Sequence, residues 1–276
     1  MEKQADKENS DAETAVAVYD LQVVLSVPNC LVSDFYYLSK VASYNFTIFN
    51  IKKDEVFCYF WNETQGHRGP VEIGTSVWKY LSYLDAQGSV KNVIFYSDNC
   101  SGQQKNQYLM SMYLQAINKM NFDSITHKYL VTGHTQNEGD NVHSQIEKSV
   151  NHFLRGQPGI FSPVQYSTII SMTKKKKKGK PYKLVEMMYS DFLNIRDTGI
   201  PIPAISEMSV IMFKKSEPLK IYGKRSYGDA QFQIVVDLEM KKTRKSGSPT
   251  FPDYEQAYPT PFKVAKKNTK EKLLGV

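Results

Sequence analysis

Between residues 15 and 155 the period of the apolar residues changes in a fixed order, and that order restricts the folds open to the chain. Residues 15–25 are an apolar run of strand length that ends before Pro28. Residues 44–51 alternate with period two and residues 56–61 are aromatic-rich, with the polar turn Lys52-Lys53-Asp54-Glu55 between them, which predicts a hairpin. From Pro70 to Ala86, Val71, Ile73, Val77, Leu81 and Leu84 follow a 3.6-residue period, and Pro70 suits a first helical turn. Residues 90–96 predict a strand, 107–120 a helix, 127–131 a short strand and 140–153 a further helix. Strand, hairpin, helix, strand, helix, strand, helix is the element order of the ribonuclease-H-like fold. The predicted class is therefore α/β, a mixed sheet flanked by helices.

Outside that block the expectations are looser. Residues 1–14 are polar and without apolar periodicity, so a disordered leader is expected. The core domain is placed at 15–160. A basic, β-containing appendage is placed at 161–240, with strands near 183–188, 210–213 and 232–238, and a basic flexible tail at 241–276. From Ser171 onward there are 22 Lys and Arg against 11 Asp and Glu, although the whole chain carries a net charge of only +7. An acidic front and a basic back suit a polyanionic partner. No apolar run is long enough for a membrane span and the first residues lack the apolar core of a secretory signal. Three dispersed cysteines, Cys30, Cys58 and Cys100, fit neither a disulfide framework nor a zinc site. An intracellular protein with no membrane association is expected.

One residue breaks the apolar logic. Asp20 lies within the first strand, where an unpaired buried carboxylate costs several kcal/mol, on the order of a full desolvation penalty. Asp98 follows the next long strand, and Asp140 opens the last helix, where a carboxylate also suits the helix dipole. Three converging carboxylates can hold divalent ions for phosphodiester chemistry, and hard oxygen donors favour Mg2+ or Mn2+. Asp140, His143 and Glu147 are spaced i, i+3, i+7 and share a helical face, so Glu147 competes for the third acidic place and His143 is a candidate ligand or proton shuttle. Each also has a plain structural use: a turn at Asp98-Asn99, an N-cap at Asp140, a surface histidine at His143. Glu72 in the first helix is a candidate fourth acid, with a solvated helix face as its ordinary role. His134 in a Gly-His-Thr loop, Lys105, and the run Lys174, Lys175, Lys176, Lys177 and Lys178 are candidate nucleic-acid contacts, the run also matching a nuclear-localisation composition. Cys100 has no paired base in sequence and is not read as a nucleophile.

Tyr19-Asp20-Leu21-Gln22, residues 96–106 (YSDNCSGQQKN), residues 133–147 (GHTQNEGDNVHSQIE), the Trp61-Asn62-Glu63-Thr64 segment and Arg68-Gly69 resemble an uncharacterised domain family abundant in insect and other invertebrate genomes. That family looks transposon-derived. The resemblance implies a transposase-like ribonuclease-H fold with a DDE/D-type metal site, carried by Asp20, Asp98 and Asp140 or Glu147. The expected function is a metal-dependent nuclease or strand transferase, with nucleic acid, DNA foremost, as partner and the nucleus as location. The rival is a module of the same fold that binds nucleic acid or protein without turnover. A small-molecule enzyme has no nucleotide fingerprint to support it. Oligomeric state is not legible.

Overall fold

The computed structural model describes residues 2–9, 11–30, 40–99, 104–130, 138–173, 180–196, 205–239 and 250–263. In chain order the elements are α1 (Glu2–Glu8), β1 (Thr14–Leu21), β2 (Leu25–Val27), β3 (Val41–Asn50), β4 (Glu55–Asn62), α2 (Pro70–Gln87), β5 (Asn92–Ser97), α3 (Gln107–Lys119), β6 (Ser124–Tyr129), α4 (Glu138–Gly156), α5 (Pro163–Met172), β7 (Lys183–Glu186), β8 (Val210–Lys214), β9 (Lys220–Lys224) and β10 (Gln233–Asp237). The strands form one mixed sheet in the order β10-β9-β8-β6-β5-β1-β3-β4-β7, with β2 paired to β3. β1 runs antiparallel to β3 and parallel to β5, and β6 is parallel to β5. Helices on both faces make the molecule an α/β sandwich.

Alternation along β1 decides which residues go to which layer. Ala15, Ala17, Tyr19 and Leu21 point into the larger core beneath α2 and α3, with Phe95, Tyr113 and Phe213. Val16 and Val18 point to the opposite face, beside Ile51 and Tyr96, and Asp20 follows them there. On that face α4 and α5 cover β1, β3, β4 and β7, and Val142, Ile146, Val150 and Ile170 close a second core over Phe49, Cys58 and Phe60. Local chemistry sets the helix ends. Asn106 caps α3 by accepting from the backbone N–H of Tyr108 (3.0 Å) and Leu109 (3.1 Å). Gly88 stops α2 in the left-handed region at φ 67°, where a side chain would be strained.

Three expectations are corrected. The leader is not featureless: α1 occupies residues 2–8, fastened through side chains, with the Asp6 carboxylate accepting from Lys128 Nζ at 2.7 Å and from the Tyr96 hydroxyl. The C-terminal strands are no appendage but extensions of the same sheet, β7 on the β4 edge and β8–β10 on the β6 edge, because β4 and β6 would otherwise leave their backbone groups unpaired. Part of the expected flexible tail is packed. Residues 250–263 cross α2, where Tyr254 meets Trp78 edge-on and Ala257 N–H donates to Phe192 O at 2.7 Å. Among the described residues, no helix is long and apolar enough to cross a membrane.

Candidate metal centre

Asp20 and Asp98 are brought together by register. Val18 pairs with Tyr96 across the parallel β1–β5 ladder, so Asp20 and Asp98 each stand two residues further on, at the C-terminal ends of neighbouring strands. On its other side Asp20 pairs with Thr47 of β3. Helix α4 crosses β1 and β3 and lays Asp140, from its first turn, and His143, one turn later, over this point. Asp20, Asp140 and His143 each offer a ligand atom within 4.8 Å of the others, and this is a cluster able to hold a divalent ion.

His143 is fixed from behind. Its Nε2 lies 3.1 Å from Thr47 Oγ1, while Nδ1 faces Asp20 Oδ2 at 3.7 Å. Burial lowers its pKa to about 4, so at neutral pH the ring is uncharged and can present a lone pair. In the tautomer whose Nε2–H donates to Thr47 Oγ1, Nδ1 and the carboxylate are two acceptors facing each other across a gap too long for a hydrogen bond. That spacing suits two atoms sharing one cation at about 2.1 Å each.

The carboxylates are under strain of charge. Burial, and then the negative charges of Asp98 and Asp140, raise the Asp20 pKa to about 7. The Leu21 N–H (2.8 Å to Oδ1) and the Gln104 side chain oppose the shift. Asp98 is raised by burial and by Asp140, and its Oδ1 is buried with no hydrogen-bond partner among the described residues. A buried carboxylate oxygen without a described partner, beside two more acids, is a group that a cation at this point would satisfy. The donor set fits one: carboxylate oxygens suit Mg2+ or Mn2+, and the imidazole nitrogen tilts the choice toward Mn2+.

Not every candidate joins the cluster. Glu147 is exposed one turn beyond His143 and stands outside it. Glu72 is buried elsewhere; its carboxylate accepts the His67 N–H (2.7 Å), the Gly69 N–H (3.2 Å) and the Tyr258 hydroxyl, so it organises the start of α2 and is not placed as a fourth acid. Lys105 is turned inward, donating to Ser206 O at 2.6 Å above the Tyr129 ring, and so is not a free cation at the surface. His134 and Lys174 to Lys178 lie outside the described residues, as does Cys100.

Sequence reasoning missed the supporting groups. Thr47 orients His143 and Gln104 holds Asp20, and behind them the Asn45 amide donates to Gln22 Oε1 at 2.9 Å. Gln22 Nε2, Asn45 Oδ1 and Ser43 Oγ are buried without partners among the described residues, and the Asn45 amide also donates to Thr47 Oγ1 at 3.4 Å, next to His143. The signal lies in Ser43, Asn45 and Thr47, polar residues at every second position of β3.

Fold and site together define an α/β domain with an acidic and histidine cluster at the C-terminal edge of its parallel strands. One protein family matches the chain, a domain of unknown function (DUF7869), over residues 36–176, and the chain belongs to it. The matched span contains Asp98, Asp140 and His143, whereas Asp20 precedes it. No curated protein and no solved structure matches the chain.

Proposed function

We propose that this chain is a ribonuclease-H-like, DDE/D-type domain of transposon descent that cleaves or transfers phosphodiester bonds of nucleic acid with the help of divalent metal. The observation that carries the reading is the convergence of Asp20, Asp140 and His143 within 4.8 Å, with the unpaired oxygen of Asp98 beside them. The central strand order β4-β3-β1-β5-β6, antiparallel through β1 and parallel beyond it, supports the fold assignment. The placement of the acids on β1, after β5 and on the helix that crosses back over the sheet supports the DDE/D pattern.

Divalent ions in such a site supply positive charge that activates a nucleophilic water or hydroxyl and stabilises the leaving oxygen. The chain's own residues supply the geometry. Asp20 on β1 and Asp98 directly after the adjacent β5 supply the inner carboxylates. Asp140 and His143 close the site from α4. Thr47 keeps His143 in one orientation, which makes the imidazole a fixed ligand rather than a proton shuttle at neutral pH. DNA is the favoured substrate and the nucleus the favoured location, both following from the family resemblance and the basic back half.

Calorimetry with Mn2+ and Mg2+ on the wild type, Asp20→Asn and His143→Ala tests the metal site. Binding in the wild type and its loss in Asp20→Asn is expected, with Mn2+ the tighter ion and His143→Ala reducing that preference. A folded wild type that binds neither ion sinks the proposal. Metal binding without metal-dependent cleavage of DNA or RNA leaves a metal-binding domain and removes the nuclease.

A further inference from the structure

Among the described residues, α4 and α5 pack on the face of the sheet that carries Asp20 chiefly over β1, β3, β4 and β7. Beyond β5 the register places one cross-strand row on that same face: Val18, Tyr96, Lys128, Val210 and Lys224, on β1, β5, β6, β8 and β9, of which Val18, Tyr96 and Val210 are buried and the two lysines are partly exposed. Asp20 stands two residues along from Val18, so the row begins beside the acidic site and runs away from it. With strands about 4.8 Å apart, Lys128 and Lys224 stand about 10 and about 20 Å from the β1 column. Both lysines are backed by aromatic rings, Lys128 at 5.6 Å from the Tyr96 centroid and Lys224 at 4.8 Å from that of Phe232.

The near end of this row already holds the carboxylates of α1. Helix α1 buries none of its own residues, so apolar packing does not hold it there. Its carboxylates do: Asp6 takes the Lys128 ammonium at 2.7 Å and the Tyr96 hydroxyl, Glu2 lies 3.7 Å from Lys128, and both acids act electrostatically on Tyr227. A further bridge ties Lys3 to Glu138 at 2.8 Å, two residues before Asp140. Ion pairs, not apolar packing, therefore fasten this helix: Lys3–Glu138 and Glu2–Lys128 are partly exposed, and Asp6–Lys128, with side chains 19% and 13% exposed, is the shielded pair that a competing phosphate must replace.

We propose that the Tyr96–Lys128–Lys224 row is a track for the phosphodiester backbone leading to the Asp20–Asp98 site, and that Glu2 and Asp6 of α1 occupy its near end as displaceable phosphate mimics. The inference rests on the nucleic-acid reading above, but only for the choice of polyanion. Binding energy at the row is electrostatic and releases counterions, so its mark is salt dependence and little sequence preference. Arrival of a phosphate at Lys128 displaces α1 and breaks the Lys3–Glu138 tie to the helix that carries Asp140 and His143. Occupying the track thereby also frees the rim of the metal cluster.

The test is fluorescence anisotropy of labelled single-stranded and duplex DNA with the full chain in EDTA, where cleavage plays no part, across a salt series. The double variant Glu2→Gln/Asp6→Asn is expected to bind several-fold more tightly than the wild type. Adding Lys128→Gln is expected to cancel that gain. Lys128→Gln/Lys224→Gln in the wild-type background is expected to flatten the log Kd against log salt slope by about 1 to 2, the loss of one or two phosphate contacts. Lys128→Arg, which keeps the charge and controls for folding, retains the slope. Unchanged affinity in Glu2→Gln/Asp6→Asn overturns the mimicry, and an unchanged slope in the double lysine variant overturns the track. Inorganic phosphate that competes as well as the oligonucleotide does, at equal phosphate concentration, reduces the row to a simple anion site and also overturns it. DNA binding that behaves as expected without Mn2+-dependent cleavage upholds the track and counts against the nuclease alone.

Discussion

Asp20 is a carboxylate placed where folding alone would not put one. It is largely buried, close to Asp98 and Asp140, and its charge is opposed by both. Removing the charge without changing shape should therefore stabilise the metal-free protein. At pH 8 in EDTA, Asp20→Asn is expected to melt above the wild type, by on the order of 2–4 °C for each kcal/mol of repulsion relieved. Mn2+ should then raise the melting temperature of the wild type and leave the variant where it is. A variant that melts lower in EDTA would mean that the carboxylate is structurally satisfied. His127 makes a second residue-scale prediction. Its ring is buried between Tyr19 of β1, Tyr113 of α3 and Tyr129 of β6, bonded to Ser97 of β5 at 2.8 Å, and the Lys105 charge faces it. Burial, with Lys105 second, lowers its pKa to about 3 from the ordinary 6.5. Between those values the unfolded chain takes up a proton that the folded protein refuses, so stability falls as pH falls, by up to about 1.4 kcal/mol per pH unit. Urea midpoints measured from pH 7 to pH 5 should fall more steeply for the wild type than for His127→Gln; parallel curves would remove His127 from the account.

The elements around the site are anchored by caps and register more than by intrinsic propensity. Asn106 precedes α3, and its side chain closes the first turn of that helix. Asn106→Ala is expected to cost about 1 kcal/mol and Asn106→Asp very little, read as a shift in the urea midpoint at constant slope. Equal losses in the two variants would point to Asn106's other contacts instead of the cap. Helix α5 shows how an element escapes sequence reading. Its apolar residues do not form one clear stripe, yet Ser162 and Gln165 make a capping box around Pro163, a local signal that periodicity ignores. β9 escaped because Lys220 and Lys224 flank only three central residues and mask a strand whose Ile221 is fully buried. The acidic helix α1 escaped for a different reason: it has no apolar face at all and is held by partners more than 80 residues away in the sequence.

At the scale of the molecule, the sheet makes the C-terminal third indispensable. Ile211, Phe213 and Ile221 are fully buried on the α3 side, and β8 supplies the backbone partners of β6. A chain ended at Thr173 is therefore expected to show no cooperative thermal transition by circular dichroism, while the full chain melts in one step. A cooperative melt in the shortened chain would restore an autonomous front domain and a separable appendage. Much of the architecture was legible beforehand. The periods of residues 15–153 placed β1, the β3–β4 hairpin, α2, β5, α3, β6 and α4 in order, because a half-buried strand must alternate and an amphipathic helix must repeat every 3.6 residues. Asp20, Asp98, Asp140 and His143 were legible as candidates because a charge inside an apolar run, or at the end of one, has few ordinary uses. The tertiary structure decided the rest: that His143 and not Glu147 turns to Asp20, that Thr47 and Gln104 support the pair, that Glu72 caps α2 instead, and that the basic strands extend the sheet beside the site. Those outcomes depend on which strands become neighbours and in what register. Pairing between distant segments is set by the packing of the whole chain, and local sequence does not encode it.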